Sequence, residues 1–285
     1  MKHSRTIRAL AFPGLAILLL LPYGISRWRD CRVPAGVQCL GKITEPTLHQ
    51  CSGVAVSRRY ADVFWVHNDS KNPEALYAIT RTGALIGKWR VTGRRFFDLE
   101  DIALDDAGNL FLADIGNNHI RRRTVNVHRV KEPDPTKREE DVAIEYSWRL
   151  QYPNGSRNAE SLFLLGTNGF LVTKRQTNSA EVYRFPLTPT TNIVTLELVA
   201  ELSIGTFIKG AAVSPDGKVL ALVSPIGAFA YRIDGDVSRV QRLTPHLTKF
   251  ENRKIEGCTF TPEGLLTTSE SRGFHLFTND VFRVK

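Results

Sequence analysis

The chain has 285 residues, of which 42% are hydrophobic and 24% charged, and its formal net charge is +9. This composition is typical of a globular protein and excludes a disordered or collagen-like chain. With 21 Gly, 14 Pro and one Met, turns are frequent and long helices are not expected.

The N-terminus has the three parts of a secretory signal. Lys2, Arg5 and Arg8 form a positive segment, Ala9–Leu21 is almost purely apolar, and Gly24–Ser26 offers small residues for cleavage. The apolar run is shorter than the roughly 20 residues of a membrane span. We expect a cleaved signal and a secreted or periplasmic protein. The alternative is an uncleaved segment that anchors the protein in the membrane.

Four cysteines, Cys31, Cys39, Cys51 and Cys258, would be exported with the chain. An oxidising compartment allows two disulfides among them in three possible pairings, and the spacing does not choose between these. A Cys51–Cys258 bridge would tie the two chain ends together. Because the sequence has no CxxC pair, the cysteines argue against a zinc site.

Three basic clusters, Arg58-Arg59, Arg94-Arg95 and Arg121–Arg123, raise the question of a polyanionic partner. They fall at turn-like positions, and the chain carries no nucleic-acid motif. We therefore interpret them as solvated surface. We expect a monomer without a nucleic-acid partner, which meets a membrane only if the N-terminal segment stays uncleaved.

An internal repeat runs through the chain. Each copy starts at a charged residue, runs apolar, turns at a Gly, and runs apolar again to a polar residue 14 or 15 positions later. Val, Ile, Leu, Phe and Thr fill the flanks, so each copy is predicted to be a β-hairpin. The copies are Glu100–Asp114, Glu160–Lys174, Lys209–Ser224 and Glu256–Glu270, with a looser fifth at Cys51–Asp69.

Two further strand-like stretches follow a hairpin, for example Ala75–Ile79 and Leu85–Trp89. Four antiparallel strands per repeat are typical of a propeller blade. We therefore predict an all-β fold, a single β-propeller of five four-stranded blades. It would span residues 37–285, after a signal over 1–26 and a linker over 27–36.

The last repeat is too short to form a complete blade. Only 30 residues remain from Glu256 onward, about one strand too few. The stretch Val37–Ile43 is similar to the fourth strand of the first blade, so we predict that it completes the last blade and closes the ring. Closure removes an open sheet edge. In the alternative, Val281–Val284 forms the strand that completes the last blade.

Four short motifs stand out along the repeats: Trp65–Ser70, Asp98–Ala103, Leu112–Asn118 and Asn158–Glu160. They resemble a secreted bacterial family of β-propellers with no assigned biochemical role. Val213–Gly217 also resembles the short repeat of TolB-type propellers, and a more distant likeness is to phytase-like and calcium-dependent lactonase propellers. The resemblance covers residues 49–272. It implies a propeller and an extracytoplasmic location, and it brings no catalytic residues with it.

The repeat places its charged ends around one mouth of the central channel, because a hairpin begins and ends at the same edge of its sheet. Six acids against two lysines make this polar mouth negative, and we interpret it as a candidate ligand site. The predicted residues are Asp69, Glu100, Asp114, Glu160, Lys174, Lys209, Glu256 and Glu270, with His67, Asp101, Asn117 and Asn118 close by.

Clustered carboxylates repel one another unless a cation, a lysine or protonation compensates them. Ligands that are all oxygens favour a hard ion such as Ca²⁺. The predicted metal ligands are Glu100, Asp114 and Glu256, with Asn117 and Asn118 as neutral donors. The alternative is a structural ring in which lysines bridge the acids.

The chain carries no G-x-S-x-G elbow, P-loop or dinucleotide fingerprint. Three classes of function remain. The first is an exported module that binds a small-molecule or protein ligand at the polar mouth. The second is a divalent-cation-dependent hydrolase of the phosphoesterase or lactonase type, and the third is a structural envelope protein. We favour the first class; the sequence names neither ligand nor substrate.

Overall fold

The computed structural model describes residues 33–69, 74–137, 141–174 and 179–280. The predicted signal, Cys31 and the stretch 281–284 lie outside these residues. Within them the chain forms β-strands and one short 3-10 helix, Val237–Arg242. The strands are β1 Val37–Lys42, β2 Cys51–Val56, β3 Phe64–Asn68, β4 Ala75–Ile79, β5 Leu85–Thr92, β6 Leu99–Leu104, β7 Asn109–Asp114, β8 Val125–Lys131, β9 Val142–Gln151, β10 Ala159–Leu165, β11 Asn168–Thr173, β12 Ala180–Pro186, β13 Ile193–Thr195, β14 Glu197–Leu202, β15 Gly210–Val213, β16 Val219–Ser224, β17 Gly227–Arg232, β18 His246–Lys249, β19 Ile255–Thr261, β20 Gly264–Ser269 and β21 Gly273–Thr278.

Each sequence repeat folds into a four-stranded antiparallel meander, which confirms the predicted all-β propeller class. The hydrogen-bonded orders are β2-β3-β4-β5, β6-β7-β8-β9, β10-β11-β12-β14 and β15-β16-β17-β18. The residues of the tight turns stabilise the hairpins. In the Ser214–Gly217 turn, Gly217 has a φ of +71° and donates its N–H to the Ser214 carbonyl.

The N-terminal strand closes the last meander, as predicted. β1 lies antiparallel to β21, with Val37 opposite Phe277 and Lys42 opposite Gly273, in the order β1-β21-β20-β19. Val37 and Phe277 are buried in the same apolar cluster. The two ends of the described chain therefore share one sheet, and β21 has no open edge on that side.

The first strand of each meander lies innermost. These inner strands, β2, β6, β10, β15 and β19, contact one another in a closed cycle around the central channel. The parallel pair β5–β9 joins two meanders, so the described residues form four hydrogen-bonded sheets, one of them nine-stranded. The predicted division into five separate blades therefore stays a prediction.

Apolar clusters fill the space between neighbouring meanders. In one of them Trp65 and Trp89 meet edge to face at 5.2 Å between ring centroids. The Trp65 indole also donates a hydrogen bond to Glu132 at 2.8 Å. Large, fully buried aromatic side chains of this kind contribute much of the stability of a small domain. The apolar clusters thus pack neighbouring meanders against one another.

Four of the five inner strands carry a β-bulge near their start, at the first residue of the copies that begin with Glu and at the second residue of the Cys51–Asp69 copy. We call this position the mouth position; its residues are Ser52, Glu100, Glu160, Lys209 and Glu256. A bulge leaves its extra residue out of the ladder and re-aims the side chain. Leu99, and not Glu100, therefore lies opposite Asp114.

The described cysteines form no disulfide with one another. Cys51 and Cys258 are buried, Cys39 is exposed, and all three are free thiols. The Cys51–Cys258 bridge considered from the sequence is therefore absent, and burial raises the pKa of both of these thiols. No helix among the described residues is long and apolar enough to cross a membrane.

Candidate functional site

Lysines bridge the acids on one half of the polar mouth. Lys174 Nζ donates to Glu160 Oε1 at 2.6 Å, and Lys209 Nζ donates to Glu160 Oε2 at 3.1 Å. Lys209 also donates to both oxygens of Glu256, at 3.0 and 2.9 Å. We call these four residues the lysine bridge. Its two carboxylates are buried and share the Lys209 ammonium, and Lys174 pairs with Glu160 alone, so this half matches the structural alternative derived from the sequence.

Burial and the neighbouring charges together set the pKa values in the lysine bridge. It opposes the charge on Lys209, but Glu160 and Glu256 outweigh it and raise the pKa of that ammonium. Burial raises the pKa of Glu256 to about 7, although Lys209 acts in the opposite direction. Glu256 is therefore a carboxyl group that exchanges its proton near neutral pH.

Three further acids gather on the other half of the mouth. Asp69, Asp98 and Glu100 each offer a carboxylate oxygen within 4.8 Å of the other two. We call them the acidic cluster. Asp69 follows β3, Asp98 precedes β6, and the bulge in β6 aims Glu100 at both. Asp98 and Glu100 are buried and Asp69 is half-buried.

Gly116 leaves the space that two of these carboxylates occupy. A Cβ at this position would lie 2.2 Å from Glu100 Oε1 and 2.4 Å from Asp98 Oδ2. Any other residue would displace both acids. The loop after β7 is therefore shaped to the acidic cluster at this point.

Glu100 is the least compensated of the mouth acids. Burial raises its pKa well above the usual range, and the charges of Glu160, Asp69 and Asp98 raise it further. Among the described residues, no cationic group pairs with the carboxylate of Glu100 or of Asp98 within 4 Å. Lys174 favours the ionised form of Glu100 only through its field. A cation at this place would relieve the repulsion.

Asp114 does not join Glu100 and Glu256, and this corrects the predicted ligand set. Arg122 donates to both Asp114 oxygens, at 3.0 and 3.1 Å. The Asp98 backbone N–H donates to Oδ1 at 2.8 Å. Burial alone would raise the Asp114 pKa, but His128, Arg122 and the backbone bond lower it to about 2. Asp114 is therefore a fixed anion that holds the loop after β7.

Glu256 is also removed from the predicted metal set, because Lys209 occupies both of its oxygens. The structure groups Glu100 with Asp69 and with Asp98, which sequence reasoning missed. Asp98 is not the first or last residue of a repeat copy. Its signal in the sequence was the Asp-x-Glu spacing across the start of β6.

The two predicted neutral donors have different surroundings. Asn117 is buried; its Oδ1 accepts from the backbone of Arg121 and Arg122, and its amide donates to carbonyls. The Asn117 side chain therefore makes hydrogen bonds that stabilise the loop after β7. Asn118 instead donates to Asp98 Oδ2 at 3.4 Å and accepts from Asn158 at 3.2 Å. Asn118 therefore borders the acidic cluster.

The remaining predicted residues serve the scaffold. Asp101 is buried and accepts from the backbone N–H groups of Ile102 and Leu162, both at 2.8 Å, so it links two inner strands. Burial outweighs these bonds and raises its pKa. His67 is buried, and burial lowers its pKa to about 4. Glu270 pairs with Lys254 at the rim of the mouth.

No protein-family model matches the chain, and no curated protein matches it. Solved structures do share its fold. A gluconolactonase from Xanthomonas campestris is 12% identical with a TM-score of 0.50, over 85% of this chain and 89% of that one. The PQQ-bound aldose sugar dehydrogenase from Streptomyces coelicolor is 11% identical with a TM-score of 0.51, over 84% and 96%.

Identities this low show the fold alone. They confirm the predicted resemblance to β-propellers. The narrower resemblance, to a secreted bacterial family, stays a prediction.

Proposed function

We propose that the protein is an exported β-propeller that binds a small ligand at the polar mouth, through a divalent cation held in the acidic cluster. The contrast within the mouth carries this proposal. The lysine bridge compensates its own acids, whereas Glu100 lies buried against two further carboxylates. The charges of Asp69 and Asp98 disfavour the ionised form of Glu100, and a bound cation would remove that cost.

The chemistry of the acidic cluster fits a hard cation. All three side chains offer oxygen, which Ca²⁺ and Mg²⁺ prefer. The Asn118 amide touches Asp98 and would hold that carboxylate in place. Asp69 is half-buried, so the cluster has an open side. An ion held by three side chains keeps coordination positions for water or for oxygens of a ligand.

Calorimetric and thermal titration of the mature chain, after chelation, tests the proposal. Ca²⁺ or Mg²⁺ should bind at one site and raise Tm, because an ion at 100 times its Kd stabilises the folded state by about 2.7 kcal/mol. E100Q and D98N should abolish both effects. E270Q, at the same mouth and outside the cluster, is the matched control and should bind as the wild type does. The absence of heat and of a Tm shift would refute cation binding.

Export is part of the same proposal and rests on the N-terminal signal pattern. Expression of the full chain with its first 26 residues, followed by fractionation and N-terminal sequencing, checks it. A mature protein outside the cytoplasm that begins near residue 27 is expected. An uncleaved protein in the membrane fraction would favour the anchored alternative.

A cation-dependent hydrolase is the second candidate, and one observation favours it. Glu256 has a pKa of about 7 at the mouth, which suits a general acid or base. A screen should begin with sugar lactones and phosphoesters, since a gluconolactonase shares the fold. Activity that needs the cation and falls in E256Q but not in E270Q would establish the enzyme. Cation binding without turnover would leave the binding module.

A further inference from the structure

The other end of the channel differs from the polar mouth. Four residues after each mouth position, every inner strand carries an apolar side chain that is only partly buried. These five side chains surround a cavity of 480 Å³. They are Val56, Leu104, Leu164, Val213 and Phe260.

The deeper wall of this apolar cavity is also built by the repeat. Two residues after each mouth position, a second set of buried residues lines it: Val54, Ile102, Leu162, Ala211 and Cys258. The mouth-position residues themselves do not line it. The same strands thus present charge at one end of the channel and apolar surface at the other.

The size of the cavity points to an occupant. The cavity is open to solvent at this end of the channel, so its volume is space that a ligand can enter. Its volume lies within the range of about 300 to 1,000 Å³ that is usual for small-molecule sites. All five inner strands contribute to the wall, so the space is a concave site and not a flat patch.

The three hydroxyl groups of the lining, those of Ser57, Thr259 and Thr261, already make hydrogen bonds. Ser57 Oγ accepts from the backbone of Arg59 and Tyr60, and Thr261 Oγ1 donates to the Gly264 carbonyl. Arg58 is the charged residue of the lining, and it pairs with Asp106. A charged ligand would lose its hydration against a mostly apolar wall, which is costly.

We propose that this apolar cavity is a second binding site, separate from the polar mouth, and that it takes an uncharged, mainly apolar small molecule. Burial of the ligand and of five partly exposed side chains supplies the free energy of binding. The proposal does not depend on cation binding at the other end of the channel.

Titration of the full mature chain with the uncharged dye N-phenyl-1-naphthylamine tests the site. We expect a saturable rise in fluorescence with one dye per chain. V213W and L104W place bulk on two different strands and should each weaken binding at least tenfold, with folding checked by circular dichroism. V213I, a conservative change at the same position, and E100Q, at the opposite mouth, should bind as the wild type does.

Xenon-pressurised crystals of the wild type give a test that needs no variant, because xenon enters apolar cavities. Xenon between Leu104 and Val213 is expected. The proposal is overturned by no saturable dye binding, by unchanged affinity in both tryptophan variants, or by a cavity without xenon. Dye binding that appears only after deletion of residues 281–285 would assign the cavity to the chain's own C-terminus and would also overturn it.

Discussion

Glu100 and Glu160 occupy the same position of two successive repeats, yet their surroundings are opposite. Both extend from a bulge at the start of an inner strand, and both are buried at the polar mouth. Glu160 receives Lys174 and Lys209, whereas Glu100 meets Asp69 and Asp98. One backbone position thus becomes a bridged scaffold in one half and a candidate cation site in the other.

The difference shows that charge at a propeller mouth has no fixed meaning. The charge of the residue at the mouth position of the next inner strand decides whether the acid is compensated. Glu160 is followed by Lys209, whereas Glu100 is followed by Glu160. A lysine provides three donors and a compensating charge. An acid adds repulsion that only a cation or a proton removes.

Removal of the closing strand should have the largest effect, because it takes away the pairing with β21 and the buried side chains of Val37, Ile43 and Leu48. Deletion of residues 27–48 removes β1 and exposes the edge of β21. We expect a fall in Tm of about 10 °C or more, with aggregation. Deletion of 281–285 is the matched truncation; damage by that deletion alone would favour the alternative closing strand.

Loss of the shared lysine should disrupt the bridged half. K209M leaves Glu160 with Lys174 and removes the lysine that pairs with the buried Glu256, and should cost about 3 kcal/mol in denaturant unfolding. The double variant K209M/E256Q should recover part of that loss. K218M removes an exposed pair with Asp216 and should change stability by about 0.5 kcal/mol or less.

Loss of the Asp114–Arg122 pair should weaken the loop that borders the acidic half. The Asp114 pKa is lowered to about 2, so its charge stabilises the fold above the unfolded pKa and ceases to do so as pH falls through about 2. D114N should therefore lose about 2 kcal/mol at neutral pH. It should also lack the wild type's fall in stability between pH 4 and 2. A wild-type-like acid profile in D114N would contradict this.

Removal of one charge from the acidic cluster should have the smallest effect, and the opposite sign. The Glu100 pKa is raised in the folded chain, so Glu100 costs stability at neutral pH, where the unfolded chain ionises it freely, and this cost disappears as the pH falls to the unfolded pKa. E100Q should be more stable than the wild type at pH 7 by about 1 kcal/mol. The difference should shrink as pH falls towards 4.5. A less stable E100Q without added cation would contradict the repulsion.

The repeat in the sequence was enough to predict the propeller class and the closing strand. The strand Ala75–Ile79 falls at its predicted residues, and Val37–Lys42 pairs where closure requires it. Glu160, Lys209 and Glu256 meet at one mouth as expected. These outcomes depend on hydrophobic period and turn chemistry, which a sequence displays directly.

The ligand set could not be predicted in the same way. A bulge moves the ladder by one residue, and no residue type marks it in Leu99–Asp101. Asp114 pairs with Arg122, which lies eight residues later in the chain. The loop between them has a path that the sequence does not specify. Sequence reasoning missed the apolar cavity, because a nearly continuous apolar run is the usual pattern of a strand that is buried on both faces. The ends of the inner strands instead line open space.

Crystals of the mature protein grown with Mn²⁺ would test the contrast between the two halves most directly, through anomalous diffraction. Mn²⁺ accepts the same oxygen ligands as Mg²⁺ and Ca²⁺. We predict one anomalous peak at the mouth, about 2.1 to 2.4 Å from oxygens of Asp69, Asp98 and Glu100, with Lys209 still on Glu160 and Glu256. An acidic cluster without a peak, or a peak that displaces Lys209, would contradict the proposed division of the mouth.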